Sequence, residues 1–366
     1  MKDFYAIIDL YHEESMLSDC PASHHEIFGC RVIDYMLRSL AQVSPKGIIV
    51  LVEKKEFCHY LEDTAVPVIC KSRDITSVQD IMKEYGKDAT YLILPGAVMF
   101  DVVDIAGALK EAAQSGINLI NIADFEGSGN VFVIKNRADL AKAAKIVQER
   151  TNRNHMLGGV TIVNPDNTYI GPDVKIGMDT TIYPGAIIEG NTTIGQKCII
   201  GQGCRLMDMK IGDGVEIWDS TCLKSEIGDN SSIGPYAYLR PGSVIGKKCK
   251  IGDFVEVKNA TMGDGSKASH LSYIGDATIG QGVNIGCGTI TVNYDGKTKT
   301  RTVVEDDAFI GCNSNLIAPV AVGKGAYIAA GSTITDDVPS DTLAIARERQ
   351  TNKEGWVKTK LQSNLH

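Results

Sequence analysis

From Ile170 onward the chain places an aliphatic residue every six positions: Ile170, Ile176, Ile182, Ile188, Ile194, Ile200 and Leu206 follow without a miss. The phase slips to Ile211, Ile217 and Leu223, and again to Ile227, Ile233, Leu239, Ile245, Ile251 and Val257. Met262, Ala268 and Ile274 keep the period, Ile279 and Ile285 follow another slip, and Ile310, Leu316, Val322, Ile328 and Ile334 finish it. A six-residue period is neither helical nor a simple two-residue alternation. It is met by a parallel β-helix of very short strands. One aliphatic per hexapeptide points inward and stacks on its equivalent in the next coil, and small residues or glycine turn the corners. A coil cannot bury its own edge, so such a fold is stable only as a run of repeats.

Before about residue 156 the pattern differs. Tyr5–Ile8, Gly47–Val52, Tyr91–Leu94 and Asn118–Ile122 read as buried strands. Ile33, Met36, Leu37 and Leu40 share one helical face, as do Ile105, Leu109 and Ala112. Strands alternating with helices predict an α/β, Rossmann-like layer with a largely parallel sheet. Asn136–His155 reads as one helix bridging two domains. The expected division is 1–135, a linker helix over 136–156, a β-helix over 157–340 and a tail over 341–366.

The chain has 366 residues and a net charge of -8, which argues against a general nucleic-acid or anionic-membrane binder. No apolar run reaches the roughly 18 residues that span a bilayer, and the first residues lack a signal-peptide pattern. A cytoplasmic protein is expected. Its ten cysteines contain no CxxC pair, so reduced thiols packed as small apolar residues are expected rather than a disulfide framework.

The one long break in register is Thr291–Asp307, which carries Lys297, Lys299 and Arg301 in an acidic protein. Insertions in solenoids map to loops, often on the binding face. Around it stand Arg240, Lys258, His270, Tyr273, Asn284, Asn293 and Tyr294. Singly, each has a plain structural reading: a solvated cation, a satisfied histidine, an asparagine tolerating a corner. Together they suit acyl transfer to an amine on a phosphorylated acceptor. A histidine takes the proton near neutral pH, cations hold phosphate, and corner N–H groups stabilise an oxyanion.

The strings YLRPGS, GDFVEVKNA, GDGSKASHLSYIGDATIGQGVNIGCGTITVNYDGKTK, IAAGSTIT and ARERQTNKEGW carry a closer resemblance. From about His155 to Trp356 the chain resembles the bifunctional N-acetylglucosamine-1-phosphate uridyltransferase / glucosamine-1-phosphate N-acetyltransferase family. The resemblance implies a left-handed β-helix and a homotrimer that acetylates glucosamine 1-phosphate with acetyl-CoA as co-substrate. His270 is then the general base. Arg240, Lys258, Tyr273, Asn284 and Lys299 hold the sugar phosphate. Asn293, Tyr294, Ala330 and Arg347 help bind acetyl-CoA. Cys287 and Cys312 fall in the same region, where the family commonly has Ala and Ser. The S–H group is the weaker donor at Cys312, and a reactive-thiol role there is set against the inertness of buried cysteine.

The first domain departs from the same family. Its phosphate-cradling glycine-rich loop aligns with IDLYHEESMLSDCPA. Met16, Ser18, Asp19 and Pro21 remain, but Tyr11 and Glu13 replace glycines, Ser15 the Arg and Ala22 the Lys. Side chains then fill phosphate space and Glu13 repels it. Gly96-Ala97 stands where the family has a metal-binding Asp, and Asn136 alone is a poor Mg²⁺ ligand. The uracil-reading motif has no counterpart near Thr76–Asp80. A degenerate nucleotidyltransferase-like domain, with uridyl transfer lost and no Mg²⁺ requirement, is expected. Two alternatives stay open: acetylation of a different amino sugar, and a non-catalytic binding protein for UDP-N-acetylglucosamine or CoA.

Overall fold

The computed structural model describes residues 4–10, 22–53, 61, 67–100, 102–125 and 131–363. The chain divides into two compact units, 1–157 with 168–173, and 158–167 with 174–366.

The first unit is built on a five-stranded parallel sheet. Its strands are β1 (Phe4–Asp9), β2 (Gly47–Val52), β3 (Ile69–Ser72), β4 (Thr90–Pro95) and β5 (Leu119–Asn121), in the order β3-β2-β1-β4-β5. This order, running outward both ways from β1, is that of a doubly wound sheet. The helices are α1 (Val32–Gln42), α2 (Val78–Tyr85), α3 (Val102–Ser115) and α4 (Arg137–Leu157). Central strands read as continuous apolar runs because both faces are covered. Ala6 and Ile8 pack into the cluster holding Ile33, Met36, Leu37, Leu40, Ile105 and Leu109. Ile7, Ile49, Leu51 and Ile81 form the cluster that includes α2. Ala143 and Val147 of α4 belong to the first cluster, so this helix is part of the first unit's core. Gln148 and Asn152 donate side-chain N–H bonds to the Thr168 carbonyl at 2.9 and 3.0 Å. Arg38 and Asp173 make a bidentate pair at 2.8 and 2.9 Å.

One expectation is corrected here. Cys70 is disulfide-bonded, and its partner lies outside the described residues. Spacing alone did not reveal it, because which cysteines meet is decided by the fold. The other described cysteines are free.

The second unit is a parallel β-helix of three sheets. Thr181 pairs with Ile199 and Ile182 with Ile200, eighteen residues on, which is three hexapeptides per coil. The first sheet runs from Thr161–Ile162 to Leu343–Ala344 and includes Lys250–Asp253, Lys267–His270, Asn284–Ile285, Phe309–Ile310 and Tyr327–Ile328. The second includes Glu256–Lys258, Tyr273–Gly275 and Ile290–Val292, and the third Thr261–Met262, Ala277–Ile279 and Thr302–Val304. The ladder thus extends beyond the hexapeptide pattern at its C-terminal end. The inward residues stack as columns, such as Ile200, Ile217, Ile233, Ile251, Ala268, Ile285 and Ile310, all at most 4% exposed. One assignment shifts by a residue: Cys222, fully buried, faces inward beside Leu206, and Leu223 flanks it. A shortened corner moved the phase there.

Two devices let coils stack at the strand spacing of about 4.8 Å. Glycine is required where a Cβ would strike the next coil: one built on Gly263 would lie 2.6 Å from the Gly280 backbone, and Gly177 and Gly228 meet the same obstruction. At the inner corners hydroxyls satisfy the backbone that turns away from the ladder. Ser266 Oγ donates to the Gly280 carbonyl at 2.7 Å and accepts from Val283 N–H at 3.0 Å, and Ser231 serves Gly246 and Cys249 likewise.

Gly263→Ala is expected to destabilise the β-helix by about 1–3 kcal/mol, the usual cost of overpacking, since both clashing groups are backbone. Gly107→Ala, inside α3 with nothing within 4 Å of the added Cβ, is expected to stabilise the first unit by about 0.5–1 kcal/mol. Denaturant unfolding of both variants beside the wild type checks the two signs.

Candidate active site

His270 ends the strand Lys267–His270, at the corner between the first and second sheets. The parallel register puts Asp253 of the preceding coil directly beside it, with Asp253 Oδ1 2.6 Å from His270 Nδ1. The hydrogen bond from His270 holds the Asp253 carboxyl below the usual carboxylate range. The tautomer that satisfies this contact has its hydrogen on Nδ1, which leaves the Nε2 lone pair free. The imidazole is 58% exposed, so that nitrogen is open to a substrate.

The same corner continues as a column. Lys267 pairs with Asn284 and Ala268 with Ile285, which sets Cys287 one coil beyond His270. Ile285 pairs with Ile310 and Ile310 with Ile328, which adds Cys312 and Ala330. The bonds from Asn313 N–H to the Cys287 carbonyl, 2.7 Å, and from Gly331 N–H to the Cys312 carbonyl, 2.8 Å, hold this register. A Cβ on Gly331 would lie 3.7 Å from Arg347 Cδ, so the Arg347 side chain passes over the column's far end. Cys287, Cys312, Ala330 and Arg347 therefore come together in line with His270. Asn284 stands on the first sheet in a row with Lys267 and Phe309.

Arg240, Lys258, Tyr273, Lys299 and Asn293 gather on and beside the second sheet. Arg240 donates to Glu256 Oε1 at 2.8 Å, and this bond raises its pKa. Lys258 pairs with Gly275 in register, and its Nζ lies 3.5 Å from Asp276 Oδ2. Asp276 is 7% exposed. It also accepts from Asn259 Nδ2 at 2.5 Å and from Asn293 Nδ2. Burial alone would raise its pKa, but the bonds from Asn259 and Asn293 and the charge on Lys258 outweigh it, so the carboxyl sits below its ordinary range. Lys258 and Lys299 lie side by side. The closeness of Lys258 and its charge, with Arg240 nearby, push Lys299 down, while Lys258, beside Lys299 and Asp276, is raised. Three cations this close, only partly offset by Glu256 and Asp276, make a positively biased site that suits an anionic group.

The Thr291–Asp307 segment is a turn laid against these coils. Tyr294 and Lys299 form an antiparallel bridge, and Asp295 accepts from Lys297 and Thr298 N–H at 2.8 and 2.7 Å. Tyr294 is 55% exposed. Arg301 is not part of the cationic group: it donates to Thr278 Oγ1 at 2.8 Å and to the Ala277 carbonyl at 3.0 Å, fastening the segment to the third sheet. Sequence reasoning missed Asp253, Glu256 and Asp276. Two of them stand one coil before or after a residue already singled out, 17 from His270 and 18 from Lys258, so coil-length spacing was the available signal.

In the first unit, Ala97 is 1% exposed. A buried methyl group occupies the position at which the resemblance implies a metal-binding carboxylate. Asn136 Oδ1 accepts from Asp139 N–H at 3.0 Å, capping the start of α4. Ser77 and Asp80 form the capping box of α2. Residues 11–21, which include Tyr11, Glu13, Ser15, Met16, Ser18, Asp19 and Pro21, lie outside the described residues. Among the described residues no helix is long and apolar enough to cross a membrane.

Repeating coils of this kind define a hexapeptide-repeat β-helix protein. The profile described as bacterial transferase hexapeptide (six repeats) matches residues 224–259 and 301–336, and that of the GMPPB C-terminal domain matches 166–241. The chain is 46% identical over 312 residues to the bifunctional protein GlmU of Exiguobacterium sibiricum, covering 81% of this chain and 68% of that one. It is 47% identical to GlmU of Acetivibrio thermocellus over 81% of this chain and 66% of that one, and 56% identical to GlmU of Clostridioides difficile over 67% and 54%. The chain belongs to the GlmU family, and the left-handed winding expected of its β-helix follows from that membership. It spans about half to two thirds of the length of these relatives. Among solved structures, the UDP-N-acetylglucosamine acyltransferase of Francisella novicida aligns at 19% identity over 54% of this chain and 73% of that one, with a TM-score of 0.34.

Asp276 is ionised in the folded state at a pH where an unfolded Asp, pKa about 3.9, begins to take up protons. Its contribution is present above that value and is lost as pH falls through the lower folded value. Asp276→Asn is expected to destabilise by about 1–3 kcal/mol at pH 7, and the gap from wild type should narrow below about pH 4. Thermal unfolding from pH 7 to pH 3 reads both effects.

Proposed function

We propose that this chain is an N-acetyltransferase moving the acetyl group of acetyl-CoA to the amine of glucosamine 1-phosphate, on the way to UDP-N-acetylglucosamine in the cytoplasm. The observation that carries the reading is the paired arrangement of a His270–Asp253 dyad heading a column of small residues and a cluster of Arg240, Lys258 and Lys299. Kinship with GlmU supports it.

In this mechanism the cations and Tyr273 hold the sugar phosphate, with Asn284 on the sugar. His270 Nε2 takes the proton from the amine as its nitrogen attacks the thioester carbon. Asp253 keeps Nδ1 protonated and stabilises the imidazolium that forms. The tetrahedral oxyanion is met by N–H donors at the corner. The carbon–sulfur bond then breaks, and the CoA thiolate leaves with a proton from His270. No covalent enzyme intermediate is involved. The narrow column past Cys287, Cys312 and Ala330 suits the slender thiol arm of acetyl-CoA, and Arg347 and Tyr294 suit its polar end, with Asn293 setting the loop.

Within one chain His270 comes before a strand of the second sheet, while Arg240 and Lys258 come at the ends of its strands, so the base and the cations stand at opposite edges of that sheet. A neighbouring copy bringing one corner against the other would close the site, which is why we place the activity in a homotrimer. Uridyl transfer is proposed to be lost, on the buried Ala97 and the capping role of Asn136, with no Mg²⁺ needed for acetylation. Residues 136–156 are taken to link the two halves as well as to pack in the first.

The test is release of CoA thiol from acetyl-CoA with glucosamine 1-phosphate, with glucosamine 6-phosphate in parallel and protein thiols blanked. Turnover with glucosamine 1-phosphate is expected. Turnover only with another amino sugar would move the acceptor, and CoA binding without turnover of any amine would make this a binding protein. His270→Ala should lower kcat by about 10²–10⁴-fold, the usual share of a general base, and Asp253→Asn by less. Arg240→Ala and Lys299→Ala should act mainly by raising KM for the sugar phosphate. Steady-state kinetics separate the two classes.

A further inference from the structure

Cys287 and Cys312 occupy the same position in successive coils, next to His270 on its column. Both thiols are free; Cys312 is exposed and Cys287 half-buried. The inertness expected of a buried cysteine therefore does not apply to Cys312. The pair is bracketed by two ladder bonds, Gly286 N–H to the Ile310 carbonyl at 2.8 Å and Asn313 N–H to the Cys287 carbonyl at 2.7 Å. Parallel strands bonded on both sides hold facing Cα atoms about 4.8 Å apart, inside the roughly 4.4–6.8 Å range that a disulfide spans, and facing Cβ atoms about as far, a little beyond its usual roughly 3.5–4.5 Å, so closing the bridge draws the two corners slightly together. The following residues, Gly288 and Asn313, both have left-handed backbone, φ 76 and φ 55. The chain thus turns the same way after each cysteine, and the two side chains project to the same side. The remaining free cysteines among the described residues, Cys30, Cys198, Cys204, Cys222 and Cys249, are buried. Burial pushes their thiols up, that of Cys204 to about 11. Access favours the column pair.

We propose that Cys287 and Cys312 form a dithiol modification site, oxidised by a peroxide to a disulfide across two coils, and that the closed bridge blocks acetyl transfer by capping the column beside His270. The Cys312 thiolate attacks one peroxide oxygen; the O–O bond breaks, leaving a sulfenic acid and one molecule of water. The Cys287 sulfur then attacks the sulfenic sulfur, the S–O bond breaks, and a second water leaves. Hydrogen peroxide gains two electrons and the two sulfurs together lose two, so two thiols and one peroxide give one disulfide and two waters. A dithiol reductant reverses it.

Formation of the bridge does not rest on the function proposed above; only its effect on acetyl transfer does. The full-length protein is treated with hydrogen peroxide, alkylated, digested without reduction and mapped by mass spectrometry, with acetyl transfer measured on the same samples. The expected result is a peptide pair joined through Cys287 and Cys312, formed in step with loss of activity, both reversed by dithiothreitol. Oxidation of Cys312 alone to a sulfenic or higher acid, or a disulfide between two copies of the chain, would overturn the dithiol site. A Cys287–Cys312 bridge with acetyl transfer unchanged would overturn the blocking effect and leave the modification standing. The peptide map reads the bridge even in a protein that transfers no acetyl group, so failure of the functional reading is seen separately, as absent turnover before any peroxide is added.

Discussion

The hydrogen-bonded ladder between successive coils is the constraint on which the second unit rests. Its spacing obliges residues such as Gly263 to lack a side chain, and it obliges hydroxyls such as Ser266 to satisfy both partners at the inner corners. It also makes equivalent positions of neighbouring coils into neighbours in space. Asp253 reaches His270 without a contact planned in local sequence, because the two occupy one position of the repeat. A solenoid builds a site by columns, where a globular fold would collect residues from separate loops.

The electrostatics follow from the same stacking. Arg240 and Lys258 stand one coil apart, and the inserted segment adds Lys299 above them. Positive charges held so closely disfavour one another, seen in the lowered Lys299. The buried Asp276 offsets part of that repulsion while fixing Lys258, Asn259 and Asn293 to a single point. A carboxylate nearly closed to solvent thus ties the loop to the coil and leaves the cations facing outward. Arg301, which looked from sequence like a fourth cation of the group, is consumed by backbone carbonyls and one hydroxyl.

The β-helix was legible because its period is set by backbone geometry, and an inward aliphatic in each hexapeptide is hard to produce otherwise. The α/β character of the first unit was legible from its apolar runs, whose two-sided burial forbids alternation. Register was less so. Cys222 took the inward place next to Leu223 because a corner one residue shorter moves the phase without changing composition. The acidic partners Asp253 and Asp276 escaped notice because a carboxylate in a turn has many ordinary uses, and only the coil length points to its neighbour. The Cys70 disulfide was hidden for a different reason: spacing carries no record of which cysteines the fold brings together.

On the proposed function, the column running from His270 to Ala330 also acts as a gauge. Each coil advances a ligand lying along it by about 4.8 Å, and no substitution can alter that step. A change in the length of molecule that fits between the base and Arg347 would require a whole coil to be gained or lost between them. Solenoids tolerate such changes because each repeat contacts only its neighbours. Donor size in a protein of this build is thus counted in coils, and the side chains along the column decide only what is gripped at each step.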